Sequence, residues 1–241
     1  MSGHSKWNNI KHKKEKSDAA KAKIFTKIGK EMAVAIKAGG PDPNNNSRLR
    51  DLISKAKANN VPNDNIQRTI KKFTESNNID FEEITYEGYG PSGVAIIVET
   101  STDNRNRTAG NVRAWFSKYG GNLGQNGCVS YLFEEKGVIT IVDEDEEIDE
   151  DKIMEDALEC GAEDIKCDEG EYTIYTSTDD FNAVRDAIVA LGYTLDTADI
   201  AKVPSTYVDL TSEDDIETME KMLDKFNEDD DVNAVYHNWN S

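Results

Sequence analysis

Val138-Ile139-Thr140-Ile141-Val142 is a short apolar, β-branched run, and the sixty residues downstream of it decide the fold. Ile153, Met154, Ala157 and Leu158 recur at helical spacing and stop at Gly161. Asp164–Cys167 and Tyr172–Thr176 alternate around Glu169-Gly170, as the two arms of a hairpin do. Phe181, Val184, Ile188 and Leu191 then mark a second helix ended by Gly192, and Thr194–Val203 supplies a last strand. A period of 2 marks a strand and a period of 3.6 a helix, so the order is β-α-β-β-α-β. That is the split-βαβ, ferredoxin-like arrangement.

Working outward, the flanks hold the pieces of a second such unit. Strands are expected at Ile84–Glu87, Val94–Thr100 and Cys128–Phe133, with a helix carrying Ala109, Val112, Phe116 and Tyr119. After Pro204 come a strand at Tyr207–Leu210, a helix marked by Ile216, Met219, Leu223 and Phe226, and a strand at Val232–Tyr236. One split-βαβ domain is thus expected inside another, between its second and third strands. Upstream, three amphipathic stripes make a small bundle: Phe25, Ile28, Met32 and Ile36; Leu49, Leu52, Ile53 and Ala56; Ile66, Ile70 and Phe73. Gly39-Gly40-Pro41 and Pro62 separate them. The fold class is α+β. The expected organisation is a basic tail at 1–16, a helical bundle at 17–80, a discontinuous α/β domain at 81–136 plus 204–241, and an inserted domain at 137–203.

Charge is distributed unevenly. The formal net charge is −19, yet residues 1–80 hold 17 Lys+Arg against 8 Asp+Glu, and residues 81–241 hold 11 against 39. Salt screens charge over about 8 Å, so a partner at one end feels mainly the local sign. The tail concentrates Lys6, Lys11, Lys13, Lys14 and Lys16 with Trp7 and His12, and no apolar face can be drawn through it. Such a stretch suits phosphate contacts and stacking on bases. Lys23, Lys27, Arg48 and Arg50 extend the positive charge along the helices, and Arg105 and Arg107 are cations of the acidic body. A lipid surface fits poorly, because the apolar stripes are needed to pack the helices. A helix-turn-helix at the last two helices fits only loosely.

Chemistry finds no seat. Gly121, Gly124 and Gly127 lie between a helix and a strand, whereas phosphate-cradling loops run from strand to helix, so a mobile surface loop is expected. Asp143–Asp151 holds eight acids but has Ile148 where a calcium loop needs glycine. His4 and His12 lack zinc-site spacing, and Cys128, Cys160 and Cys167 form no C-x-x-C pair. No enzyme, cofactor or metal site is expected. Neither a signal core nor an apolar span is visible, which makes a cytoplasmic protein the expectation.

The chain resembles the YebC/PmpR family, which includes the mitochondrial translational activator of cytochrome c oxidase. The matching runs include Gly3-His4-Ser5-Lys6-Trp7, Lys23-Ile24-Phe25-Thr26-Lys27, Gly39-Gly40-Pro41-Asp42-Pro43 and Asn46-Ser47-Arg48-Leu49-Arg50. Tyr86-Glu87-Gly88-Tyr89-Gly90-Pro91 and Thr102-Asp103-Asn104-Arg105-Asn106-Arg107-Thr108 continue the match, with Cys128 where serine is common. The resemblance implies a non-enzymatic regulator of gene expression. For such a regulator the resemblance implies one of two roles, in translation at the ribosome, assisting elongation through proline runs, or in transcription by binding DNA. A flexible Lys/Trp tail suits folded RNA, and no recognition helix or dimer interface is legible. Ribosomal RNA is therefore favoured over DNA, with the protein a monomer. A metal-dependent nuclease and a pure protein-interaction module are the rival classes.

Overall fold

The computed structural model describes residues 18–75, 80–143, 148–168 and 170–240. Three helices open it: α1 (Asp18–Gly39), α2 (Ser47–Ala58) and α3 (Asn63–Glu75). Their stripes meet as expected, with Ile28, Met32, Ile36, Leu49, Leu52, Ala56 and Ile66 in one buried cluster. Asn46 joins two helix ends. Its side chain accepts from Leu49 N at 3.0 Å as the N-cap of α2, and donates to the carbonyls of Ala35 and Gly40 at 2.8 Å each. Gly40, at φ +83°, supplies the left-handed turn that brings the chain round. Asn46→Ala removes the cap and strands buried carbonyls. It should cost about 2 kcal/mol, a drop of about 5 °C in Tm. Thermal melts of the two proteins check this.

The first sheet has the order β3-β1-β2-β8, all neighbours antiparallel. Its strands are β1 (Glu82–Tyr89), β2 (Ala95–Thr102), β3 (Asn122–Leu123) and β8 (Val232–His237). Helix α4 (Arg105–Lys118) follows β2, and α7 (Glu213–Glu228) precedes β8. Val94 to Val98 are all fully buried. Successive strand residues point to opposite faces, so both faces of β2 are covered. Helix α1 packs on β2 and β8, α4 on β1, and α7 on β8. The helical head is therefore part of the same packed body as this sheet.

The second sheet comprises β4 (Phe133–Val142), β5 (Asp164–Asp168), β6 (Glu171–Thr176) and β7 (Thr197–Pro204). Helices α5 (Glu150–Glu159) and α6 (Phe181–Ala190) complete the β-α-β-β-α-β order. The strand order is β5-β6-β4-β7, again antiparallel throughout, as the split-βαβ reading requires. Ile139, Ile141 and Ile174 pack with Ile153 and Ala157 of α5 and with Val184 and Ile188 of α6. The chain forms two compact units. One is Tyr131–Asp209 with 238–240; the other is 18–130 with Leu210–His237.

Three expectations are corrected. Cys128–Phe133 is not a strand; Ser130–Leu132 is a 3-10 turn and β4 begins at Phe133. The cause is Glu87, whose buried carboxylate takes the N–H groups of Gly127, Val129 and Ser130 at 2.8–2.9 Å, amides that a ladder would need. Tyr207–Leu210 contributes only a one-residue bridge, Val208 to Trp239. The chain accordingly leaves the first sheet after its third strand, β3, and returns to add the fourth, β8. No helix among the described residues is long and apolar enough to cross a membrane.

Candidate nucleic-acid interface

Of the residues singled out in the sequence, Lys6, Trp7, Lys11, His12, Lys13, Lys14 and Lys16 lie outside the described residues. The cations of α1 are placed. Lys23, Lys27 and Lys30 follow at intervals of four and three, which puts them on one helix face. That face meets the C-terminal end of α7. Lys23 donates to Glu228 O, Lys27 to Asn227 O at 3.1 Å and Lys30 to Asp230 O at 2.8 Å. The last carbonyls of a helix have no partner within it and carry its negative end, so lysines are suitable caps.

Lys27 is held there at a cost. Burial, reinforced by Lys23, lowers its ammonium to about 8, although Asp229 and Asp230 act in the other direction. The sign follows from linkage. With the folded value below the unfolded one, folding disfavours the charged form at pH 7, and stability rises as pH climbs from about 8 towards 10.5. The rise should be on the order of 2 kcal/mol and should vanish in Lys27→Met. Denaturant titrations of both proteins between these pH values test it.

Lys30 reaches further, to a buried hub. Its ammonium meets Asp231 Oδ1 at 2.6 Å, while Arg107 Nη2 and the Thr108 hydroxyl donate to Oδ2 at 2.7 and 2.8 Å. Arg107 Nη2 also meets Asp103 at 2.8 Å. Burial alone pushes the Asp231 carboxyl up, but the bonds from Lys30, Arg107 and Thr108 outweigh it and hold the group at about 2. Beside the hub lies an open groove of about 740 Å³ bordered by Phe81, Trp115 and Lys118.

The remaining candidates divide by partner. Arg48 pairs with Glu83, and Arg105 sits 3.8 Å from Glu82 with 70% of its side chain exposed. Arg50 is exposed and forms no ion pair among the described residues, and the same holds for Lys57, Arg68 and Arg113. The structure thus brings Lys23 and Lys27 together on one acceptor row and links Arg107 to it through Asp231 and Lys30. It leaves Arg50 with Lys57 and Arg68 on the outer surface of α2 and α3. The sequence reading counts Lys30 among the cations of the helix faces without placing it in the site, and it misses Asp231. Lys30 has a usable signal in its one-turn spacing from Lys27, whereas Asp231 looks like its neighbours Asp229 and Asp230.

The glycine loop is pinned rather than mobile. Besides the three bonds to Glu87, Gly124 N donates to Glu87 O at 2.8 Å. A Cβ on Gly121 would stand 2.5 Å from Tyr89 O, a distance no side chain tolerates. Burial raises the Glu87 carboxyl, but the N–H groups of Gly127, Val129 and Ser130 bring it below its ordinary value. Among the described residues no group of His, Cys, Asp and Glu is arranged to hold a metal ion.

A helical head packed on one four-stranded antiparallel sheet, with a split-βαβ unit built on a second sheet in the same chain, defines a mixed α+β architecture. The chain belongs to the TACO1/YebC family. Residues 5–76 match the description "TACO1/YebC protein N-terminal domain", and residues 81–239 match "TACO1/YebC second and third domain". It is similar to a "probable transcriptional regulatory protein" of Agathobacter rectalis, at 55% identity over 99% of both chains. A Caldicellulosiruptor bescii protein of the same description is 54% identical over 99% of this chain and 98% of its own. Among solved structures, a conserved hypothetical protein of Aquifex aeolicus matches with a TM-score of 0.85 and 44% identity, covering 95% of this chain and 94% of that one.

Proposed function

We propose that the protein is a non-catalytic regulator of gene expression that binds nucleic acid, and that it works in translation as a ribosome-associated RNA-binding factor. Its task on this reading is to assist elongation through difficult sequences such as proline runs. The observation that carries the reading is the concentration of positive charge at one end of an acidic chain: 17 Lys+Arg against 8 Asp+Glu in residues 1–80. The tail lysines and His12, together with Arg50, are the primary phosphate contacts, and Trp7 stacks on a base. Lys23, Lys27, Arg48, Arg105 and Arg107 already hold an internal acceptor, and each should contribute less. The relatives' names favour the second reading, a DNA-binding transcriptional regulator.

Sedimentation separates the two. At low salt the protein should pellet with ribosomes and be released by RNase but not by DNase. Retention on a promoter fragment with sharp sequence preference, and no ribosome association, would move the assignment to transcription. With about four to six phosphates neutralised, log K against log salt should slope at about −3 to −5. A flat salt response would remove the phosphate-binding claim.

A further inference from the structure

The unit around the second sheet carries the chain's excess of acid. Residues 131–209 hold 5 Lys+Arg and 24 Asp+Glu, 5 − 24 = −19, which equals the net charge of the whole chain. The rest of the molecule is therefore balanced, and this unit repels both nucleic acid and a second copy of itself. What it presents to a partner is an open sheet edge. Among the described residues, strand β5 ends the sheet order and pairs with β6 alone. An edge strand carries backbone groups that its own sheet does not use, and proteins commonly shield them with charge. Here the Ile165 N–H is met by the carboxylate of the adjacent Asp164 at 2.9 Å, in place of a ladder carbonyl.

Helix α5 packs beside β5. On it Met154 and Leu158, one turn apart, are 37% and 53% exposed, while Ile165 and Cys167 of the strand are half-buried against the same core. An edge whose Ile165 N–H is held by a neighbouring side chain and not by a strand, an apolar flank and a −19 field together fit one kind of ligand. We propose that β5 and the Met154–Leu158 flank of α5 dock an extended, Lys/Arg-rich segment of a partner protein as an added strand. An incoming carbonyl replaces the Asp164 carboxylate on Ile165 N–H, and the freed carboxylate meets a cation of the new strand. Alternate apolar residues of that strand lie against Met154 and Leu158. The chain's own tail is cationic but has no period-2 apolar face, so it matches the charge and not the flank.

The probe is a labelled synthetic peptide of alternating Lys and Val, titrated against the full chain by fluorescence anisotropy. A control peptide is N-methylated at alternate amides, which keeps the charge and removes the ladder donors. The control should bind about tenfold more weakly, and Met154→Ser with Leu158→Ser should weaken the parent peptide by a similar factor. Hydrogen exchange should slow at the amides of Ile165 and Cys167 when the parent peptide is bound. Equal binding of the two peptides, or unchanged exchange at β5, overturns the proposal. Displacement of the peptide from β5 by oligouridylate would make the edge an RNA surface, and a gain in affinity on deleting residues 2–16 would make the tail its occupant. Either result also overturns it. The docking of a basic strand is independent of the RNA reading, which the sedimentation test decides.

Discussion

Asp231→Ala should destabilise the protein by about 3–5 kcal/mol, the usual cost of removing one partner from a buried ion pair. Asp231 is 4% exposed, and its carboxylate carries Lys30 on one oxygen, with Arg107 and Thr108 on the other. Its removal leaves the Lys30 ammonium, on a side chain only 13% exposed, with the Asp230 carbonyl but without its counter-charge. The same hub predicts an acid limb in the stability curve. A carboxyl held at about 2 against 3.8 binds protons less readily when folded, so its contribution is complete above the unfolded value. It is lost as pH falls from about 4 to 2, and amounts to about 2 kcal/mol. Asp231→Asn should remove this limb while keeping the shape of the side chain. Urea titrations of the three proteins at neutral and acid pH decide the matter. A change below about 1 kcal/mol in Asp231→Ala would mean that the pairs are no stronger than surface ones.

How much of this is legible in the sequence depends on the range of the interaction. The β-α-β-β-α-β order is readable because each element of 131–209 carries its own period, and Gly161 and Gly192 mark the helix ends within the same stretch. The run Val94–Val98 announces a strand, but its cover on both faces becomes clear only with α1 packed on it. Cys128–Phe133 misleads for a long-range reason. Its amides are taken by Glu87, some forty residues earlier, and local alternation carries no trace of that. The site is readable as charge and not as partners. Lysines at 23 and 27 show a basic face, but the carbonyls at the end of α7 that they meet lie two hundred residues away. Arg107 looks like a surface cation for the same reason, since Asp231 stands 124 residues further on.

The division of the cations by partner makes a sharp prediction for binding. Deleting Ser2 to Lys16 removes five lysines and Trp7, and should weaken RNA binding by about two orders of magnitude through lost phosphate contacts. A stacking contribution of about 1–3 kcal/mol goes with Trp7 if it meets a base, and Trp7→Ala alone should lose that part while keeping the salt slope. Melting should barely change, because an unpatterned terminus adds little to a core. The triple variant Arg50→Ala, Lys57→Ala, Arg68→Ala tests the folded part of the interface. These cations are exposed and form no ion pair among the described residues, so stability should hold within about 0.5 kcal/mol. The salt slope should flatten by about 2, some 0.7 for each contact to a single strand. Lys23→Ala with Lys27→Ala should behave in the opposite way. Both cations cap α7, so their loss shows in the melt, while the slope should change little because their charge is already engaged. If that pair flattened the slope as strongly as the triple variant, the lysines would leave α7 for phosphate when RNA binds. The row of caps would then be a latch that nucleic acid opens, and α1 would share the folded half of the interface with the outer surface of α2 and α3.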